Sequence, residues 1–208
     1  MKALPSFETV VQHPEKYRGT WNKNYFKNNN KITLELACGK GDYTIALAEK
    51  YPGQNFIGID LKGARLYIGA QKAQNQNLKN AAFINTNIQN LADIFGPEEI
   101  SEIWIPFPDP YPKVSKAGKR LVSHGYLALY QQIIDKDCHI HFKTDDDPLF
   151  RYALASIESF HGEIVHSLKD IYEQQLENEN ITVQTTYEKR HLQSGKKIKY
   201  ICFTLKKI

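Results

Sequence analysis

The sequence has little cysteine, and the arrangement of the few it has excludes two classes of protein. Cys38, Cys138 and Cys202 are the three cysteines among 208 residues, and they form no CxxC pair. An odd number of widely spaced cysteines argues against a disulfide framework and against a structural zinc site. We therefore predict a protein of a reducing compartment.

Long apolar runs are missing as well. Met1 is followed by Lys2 and then by Leu4 and Pro5, with no apolar stretch behind them. A secretory signal would show such a stretch, and a membrane-spanning helix needs about 20 mostly apolar residues in a row. We expect a cytoplasmic protein that does not associate with a membrane.

A strong excess of either charge is also absent. Lysine and arginine total 27 and aspartate and glutamate 23, so the net charge is +4. This balance permits an anionic partner without requiring one. A chain of 208 residues can form one α/β domain with a sizeable core but hardly two.

Strand-like and helix-like segments alternate along the chain, which predicts a doubly wound, mostly parallel Rossmann-like α/β sheet. The predicted strands are 32–36, 55–60, 81–85, 100–106, 138–143, 163–168 and 197–205. The predicted helices are 42–50, 64–76, 91–95, 123–135 and 148–160. Residues 1–30 are expected to form an irregular arm before a domain of residues 31–208, and 172–186 a polar loop. Ligands of such sheets bind at the carboxyl ends of the strands.

The first strand ends in ELACGKG, an E-x-x-x-G-x-G pattern with Glu35, Gly39 and Gly41. The dinucleotide fingerprint needs a third glycine where Thr44 stands, so a pyrophosphate site is disfavoured. An acidic residue before the loop suits a cationic ligand, and Asp60 at the end of the second strand could bind ribose hydroxyls. This pattern favours S-adenosylmethionine and a class I methyltransferase, with a plain tight turn as the alternative.

The fourth strand leads into FPDPYPK, in which alternating prolines stiffen a loop that carries Asp109 and Tyr111. A basic tract of Lys113, Lys116, Lys119 and Arg120 follows, with His124 close by. Clustered basic side chains suit the phosphates of a large anionic acceptor. A solvated basic surface loop is the alternative.

These motifs together resemble the bacterial tRNA (guanine-N7-)-methyltransferase family over nearly the whole chain. The matching stretches are PEKYRGTWN at 14–22, ELACGKG, GID before Leu61, FPDPYPK, HFKTDD at 141–146 and TTYEKR at 185–190. The resemblance implies a class I methyltransferase sheet with an antiparallel final strand. It further implies methyl transfer from S-adenosylmethionine to N7 of a guanosine in tRNA (position 46, in the variable loop). No obligatory protein partner is expected, and the protein would be a monomer or a homodimer.

The resemblance also assigns roles by position. It implies cofactor binding by Glu35, Asp60, Asn87 and Asp109, beside the loop glycines Gly39 and Gly41. It implies guanosine binding by Lys113, Asp145 and residues 185–188, which include Thr185, Tyr187 and Glu188. We take Asp109 and Asp145 as the candidate catalytic residues. The chain departs from the family at Tyr111, where tryptophan is usual, at Asn87, where an acid is expected, and in a thinner basic tract.

Several readings stay open. Asp145 and Glu188 could contact the guanine in either order, and Tyr111 or Tyr187 could stack on it. Asp145 or Asp147 could instead cap the helix that begins near Pro148. His139 and His141 alternate on one strand without an evident third metal ligand, so we predict no metal site. The rival functions are a methyltransferase for another RNA or a small molecule, a non-catalytic RNA-binding relative, and a nucleotide-dependent oxidoreductase.

Overall fold

The computed structural model describes residues 9–173 and 179–206, and a seven-stranded sheet forms its centre. The strands are β1 (Ile32–Leu36), β2 (Asn55–Asp60), β3 (Ala81–Asn85), β4 (Ile100–Pro106), β5 (Ile134–Thr144), β6 (Glu163–Leu168) and β7 (Lys199–Thr204). Their order across the sheet is β3-β2-β1-β4-β5-β7-β6. Strands β1 to β5 pair in parallel, whereas β7 runs antiparallel to both β5 and β6. The predicted fold class is confirmed.

Within the described ranges, six α-helices connect the strands. They are α1 (Asp42–Lys50), α2 (Gly63–Asn75), α3 (Leu91–Ile94), α4 (His124–Gln131), α5 (Asp147–Ser159) and α6 (Thr186–Gln193). Short 3-10 turns lie at Pro14–Tyr17, Ile88–Asn90, Val114–Lys119 and Glu179–Thr182, and a π-helical turn at Trp21–Phe26. In the part of the chain that the structure describes, no helix combines the length and the apolar character needed to cross a membrane.

The two faces of the sheet contribute to different cores. Ile32, Leu34 and Leu36 of β1 pack in the core that holds the side chains of α3, α4 and α5. Thr33 and Glu35 are therefore directed to the other face, since successive side chains of a strand alternate. The core on that face contains α1, α2 and the buried side chains Trp104 and Tyr200. This alternation places Glu35 beside the start of α1.

The segment before β1 is attached to the body of the protein. Val10 forms a parallel bridge to Phe83 of β3. The indole of Trp21 is completely buried, and its N–H donates to the carbonyl of Ile94 at 3.0 Å. The backbone N–H groups of Gly19 and Trp21 both donate to the carboxylate of Glu99. The domain boundary at residue 30 stays a prediction.

Two predicted elements were wrong in extent. Helix α4 ends at Gln131 rather than at residue 135, and β5 begins at Ile134, which pairs with Ile100. A buried apolar run such as Ile133 and Ile134 fits a helix and a strand equally well in sequence, and pairing with β4 decides between them.

The polar loop predicted at 172–186 contains a 3-10 turn and the start of α6, and residues 174–178 lie outside the described residues.

The cap of α5 also differs from the prediction. Asp146 is the N-cap, because its carboxylate accepts a hydrogen bond of 2.7 Å from the backbone N–H of Leu149. Asp147 is the first helical residue, where Pro148 follows with its fixed φ. Asp145 therefore has no capping role here and forms ion pairs instead.

Candidate active site

A cavity of about 570 Å³ opens at the carboxyl ends of β1 to β4. This volume lies within the roughly 300–1,000 Å³ of small-molecule and cofactor pockets. The loops after these strands and the start of α6 supply its lining, which includes Glu35, Ala37, Cys38, Gly39, Lys40, Asp42, Asp60, Leu61, Lys62, Arg65, Thr86, Asn87, Ile88, Pro106, Phe107, Pro108, Asp109, Tyr111, Lys119, Leu121, Tyr126, Thr185, Thr186, Tyr187 and Arg190.

The loop after β1 has a backbone shape that requires glycine. Gly39 and Gly41 have φ angles of 57° and 66°. A Cβ atom on Gly41 would also lie 2.4 Å from Cε1 of Phe83. Around the Cβ position of Gly39, in contrast, no atom of the described residues lies within 4 Å. The backbone at Gly39 is therefore open to close approach by a ligand.

Asp60 holds this loop in place from the end of β2. One carboxylate oxygen accepts from the backbone N–H of Gly39 at 2.8 Å, and the other from that of Lys62 at 2.6 Å. Asp60 borders the cavity as well. Because a carboxylate has about four acceptor positions, these two bonds leave capacity for hydroxyl groups of a ligand.

Glu35 is a buried carboxyl group at the cavity wall. One of its oxygens accepts from both the backbone N–H and the hydroxyl of Thr44, at 2.8 and 2.6 Å. Burial raises the pKa of Glu35 to about 8, even though these hydrogen bonds lower it. Without a nearby cation, the carboxyl group therefore retains its proton at neutral pH.

Asn87 and Asp109 border the cavity from two further loops. The side chain of Asn87 caps the short turn Ile88–Asn90 by accepting from the N–H of Gln89 at 3.0 Å. Asp109 is exposed within the proline-rich loop after β4. The structure thus brings Glu35, Gly39, Asp60, Asn87 and Asp109 to one cavity, with Gly41 forming the turn behind it.

The proline-rich loop has an unusual backbone. Phe107 and Tyr111 have φ angles of 53° and 42°, which bulky residues rarely adopt. Such conformations persist only where surrounding contacts impose them, and they cluster at functional sites. Both residues border the cavity.

Arg120 supplies one of these contacts, contrary to the phosphate-binding role expected from its place in the basic tract. Its guanidinium donates to the carbonyls of Pro110 and Tyr111 at 3.1 and 3.0 Å. It also lies over the ring of Tyr152, 4.2 Å from the centroid. Arg120 is therefore a support of the loop. Lys113 and Lys116 remain exposed, and Lys113 lies outside the cavity lining.

The segment at 181–188, called the acceptor segment below, contributes a further part of the cavity wall through Thr185, Thr186 and Tyr187. Thr185 caps α6 by accepting from the N–H of Glu188. Thr186 donates from its N–H and its hydroxyl to one carboxylate oxygen of Asp42, at 2.7 and 2.8 Å. Tyr187 is 51% exposed and borders the cavity. Thr185 and Tyr187 thus border the same cavity as the residues predicted to bind the cofactor.

Glu188 and Asp145 lie outside the cavity lining. The carboxylate of Glu188 is fully buried and pairs with Lys143 at 2.7 Å, and it also accepts from the hydroxyl of Tyr172 at 2.8 Å. Asp145 pairs with Lys196 and, at 3.3 Å, with His191. Contact of either carboxylate with a guanine stays a prediction and would require a rearrangement of these pairs.

Sequence reasoning missed three features of the site. Asp42 and Lys143 bind the acceptor segment, and His191 stacks between the rings of Phe107 and Tyr187, with centroid distances of 5.9 and 6.3 Å. For Lys143, the sequence offered one indication: a lysine within HFKT, at the end of a strand that was predicted to be buried. The other two depend on contacts between distant parts of the chain.

The cavity has acidic and basic regions. Carboxyl groups of Glu35, Asp60 and Asp109 line it, while basic side chains border it at Lys40, Lys62, Arg65, Lys119 and Arg190. Among the described residues, no cluster of three or more side chains has the composition of a metal site. His141 is instead paired with Glu102 at 2.9 Å and bonded to the hydroxyl of Tyr200.

Two solved methyltransferase structures share this fold. The 16S rRNA methyltransferase KamB superposes with a TM-score of 0.69 at 12% identity, covering 99% of this chain and 97% of that one. A structure described as an antibiotic-related methyltransferase gives 0.64 at 18% identity, over 88% and 91% of the two chains. At these identities the similarity establishes the fold alone.

Sequence relatives establish the family. The family described as "Putative methyltransferase" matches residues 29–201. The tRNA (guanine-N(7)-)-methyltransferase of Christiangramia forsetii is 41% identical over 97% of this chain and 91% of its own length. The protein of that name from Porphyromonas gingivalis is 43% identical over 90% of this chain and 77% of its own length. The chain belongs to the tRNA (guanine-N7-)-methyltransferase family.

Proposed function

We propose that this protein transfers a methyl group from S-adenosylmethionine to N7 of a guanosine in the variable loop of tRNA, at position 46. One observation carries the proposal: a single cavity is lined by the glycine loop with its acidic residues, by the proline-rich loop and by the acceptor segment. The family membership agrees with this arrangement.

The cavity residues fit S-adenosylmethionine, which supplies a methyl group activated by a positively charged sulfonium. Its ammonium group suits Glu35, whose carboxyl group has no charged partner among its hydrogen bonds to Thr44. Its ribose hydroxyls suit Asp60, and its adenine suits the amide of Asn87. The open backbone at Gly39 allows the close approach that the ligand needs.

The reaction needs alignment rather than proton removal. N7 of guanine carries a lone pair and no proton, so it can attack the methyl carbon directly. The new N–C bond forms as the C–S bond breaks, the sulfur keeps the bonding pair, and the positive charge moves to the base. The protein then contributes positioning and electrostatics, and the carboxylate of Asp109 in the loop after β4 is our candidate for stabilising the charge.

Stacking and phosphate contacts would hold the acceptor. Tyr187 and Tyr111 both border the cavity and offer faces for an extruded guanine. Tyr187 is the more exposed face, and His191 supports it from behind. Lys113 would bind a phosphate or guanine O6. Asp145 is half-buried outside the cavity lining, and it would act on the base through His191 or after its ion pairs are exchanged.

Basic residues on both sides of the opening suit an RNA acceptor. Lys119 comes from the tract after the proline-rich loop, and Arg190 comes from α6. Arg190 therefore compensates in part for the interruptions of the basic tract by uncharged residues. We further propose that the enzyme works in the cytoplasm, as a monomer or homodimer, without an obligatory partner protein.

Incubation of the purified protein with labelled S-adenosylmethionine and unmodified tRNA tests this function. Nucleoside analysis should find 7-methylguanosine, and chain cleavage at that base should map it to the variable loop. Exclusive methylation of ribosomal RNA, or of another atom or another loop of tRNA, would contradict the proposal. A variant Asp109→Ala provides the site control, because it should bind tRNA but transfer methyl groups far more slowly.

A further inference from the structure

Lys143 is a fully buried lysine that the proposed reaction does not use. Its side chain is 0% exposed at the end of β5, next to the cavity wall. Burial lowers the pKa of Lys143 to about 8, although Glu188 raises it. Lysine is seldom fully buried unless it is paired, because desolvating its charge is costly. The contacts of Lys143 indicate why a charged residue lies at this buried position.

The ammonium group of Lys143 joins three separate parts of the chain. It donates to both carboxylate oxygens of Glu188, at 2.8 and 2.7 Å, and to the carbonyl of Ile181 at 2.8 Å. It also lies 3.0 Å from the hydroxyl oxygen of Tyr43. Ile181 and Glu188 are the two ends of the acceptor segment, and Tyr43 lies two residues after Gly41. One cation on β5 therefore holds both ends of the segment.

A second contact fixes the middle of the same segment. The carboxylate of Asp42 accepts from the N–H and hydroxyl of Thr186. Asp42 and Tyr43 open α1 directly after the glycine loop. The segment that carries Thr185 and Tyr187 is therefore held by the start of α1 and by Lys143 near the end of β5.

We propose that Lys143 is a positioning residue that fixes the acceptor segment against the cavity, so that the guanosine is aligned with the transferred methyl group. The alignment of the guanosine rests on the proposed function. The fixing of the acceptor segment by Lys143 does not depend on the substrate. Apolar residues of similar volume often stabilise a core as well as a buried ion pair does. A lysine instead offers three directional N–H donors, shared among Glu188, the carbonyl of Ile181 and Tyr43, which sets the place of the segment.

The test uses the full-length protein with Lys143→Met and with the double variant Lys143→Met/Glu188→Gln. The double variant removes the unpaired buried charge that could unfold the single variant. Glu102→Gln is the control, because Glu102 is half-buried on the same face of the sheet, where it pairs with His141 and accepts from Thr33 and Trp104. Hydrogen exchange of 181–193, cofactor affinity, and the KM and kcat for tRNA are measured.

We expect both Lys143 variants to lose amide protection in 181–193 by about tenfold or more, since local opening no longer breaks the ammonium contacts. The kcat/KM for tRNA should fall by about tenfold or more, while the affinity for S-adenosylmethionine stays within about twofold of wild type. The control should match wild type in all of these quantities.

Wild-type protection and kcat/KM in the double variant would overturn the inference, because Lys143 would then only neutralise Glu188. Equal loss of cofactor and tRNA function would also overturn it, by showing a general structural role. If neither variant folds, wild-type exchange decides: amides of 181–188 as unprotected as an exposed loop would contradict a held segment. Because exchange needs no tRNA, it separates failure of this inference from failure of the proposed function.

Discussion

Glu35 is an acid in surroundings that disfavour its charge. Its side chain is 4% exposed, and burial raises its pKa to about 8 against the opposing hydrogen bonds from Thr44. The free protein therefore holds a proton on Glu35 at neutral pH. A cationic ligand beside this group would favour the carboxylate, so the ligand and the proton compete for the same site.

This competition predicts that the affinity for S-adenosylmethionine rises with pH. Between pH 6 and 7.5, below the pKa of about 8 and below the range in which the ligand's own amine titrates, the gain should approach at most about tenfold per pH unit. Calorimetry in buffers of different ionisation enthalpy should detect a proton released on binding. Glu35→Gln should remove the slope, and Glu49→Gln on the exposed side of α1 should keep it. An unchanged slope in Glu35→Gln would contradict this role.

At the scale of elements, the proline-rich loop is held from its own C-terminal side. Prolines fix three of its φ angles, while Phe107 and Tyr111 take left-handed conformations. Arg120 binds two carbonyls of the loop and packs on Tyr152. The basic tract after the loop therefore contains residues of two kinds: Arg120, which holds the loop in place, and several exposed lysines.

Arg120→Lys and Lys116→Ala should separate these kinds. Arg120→Lys removes the two-pronged bond and should lower kcat/KM for tRNA by about tenfold, because lysine does not reproduce a planar fork. It should leave the salt dependence of tRNA affinity unchanged. Lys116→Ala should reduce the slope of log affinity against log salt concentration by about 0.7–0.9, the value of one phosphate contact. Binding titrations at several salt concentrations measure both, and a reversed pattern would contradict the assignment.

Residues whose place follows from the local sequence pattern could be predicted. Residues whose place depends on contacts with distant parts of the chain could not. The strand ends with Glu35, Asp60 and Asp109 follow from alternation and from the position of the turns. The inward direction of Arg120 and the partners of Lys143 depend on folds of the chain that no local pattern records. Helix α6 was missed because its polar sequence resembles a loop, and it is fixed by Thr185 and by Asp42.

At the scale of the whole molecule, the part of the segment before β1 that the structure describes packs against the rest of the protein. Trp21 is completely buried and packs against Phe95, with ring centroids 5.4 Å apart. Its neighbour Gly19 is bonded to Glu99 at the start of β4. The described part of the arm predicted for residues 1–30 therefore contributes to the core around α3, near the start of β4.

Trp21→Ala should reduce the free energy of unfolding by about 3–5 kcal/mol, because it removes a large buried side chain and leaves a cavity. Urea denaturation followed by far-UV circular dichroism measures the change. Lys23→Ala, in the same π-helical turn but exposed, should stay within about 0.5 kcal/mol of wild type. Equal stability of Trp21→Ala and wild type would show that the arm is not part of the core.

The central claim is that the two walls of the cavity bring an activated methyl group to N7 of a tRNA guanosine. The most direct measurement compares two tRNA molecules that differ only at the variable-loop guanosine, which is replaced in one by 7-deazaguanosine. We predict methyl transfer from labelled S-adenosylmethionine to the first and none to the second. Equal transfer to both would contradict the claim, because the accepting atom would then not be N7 of that base.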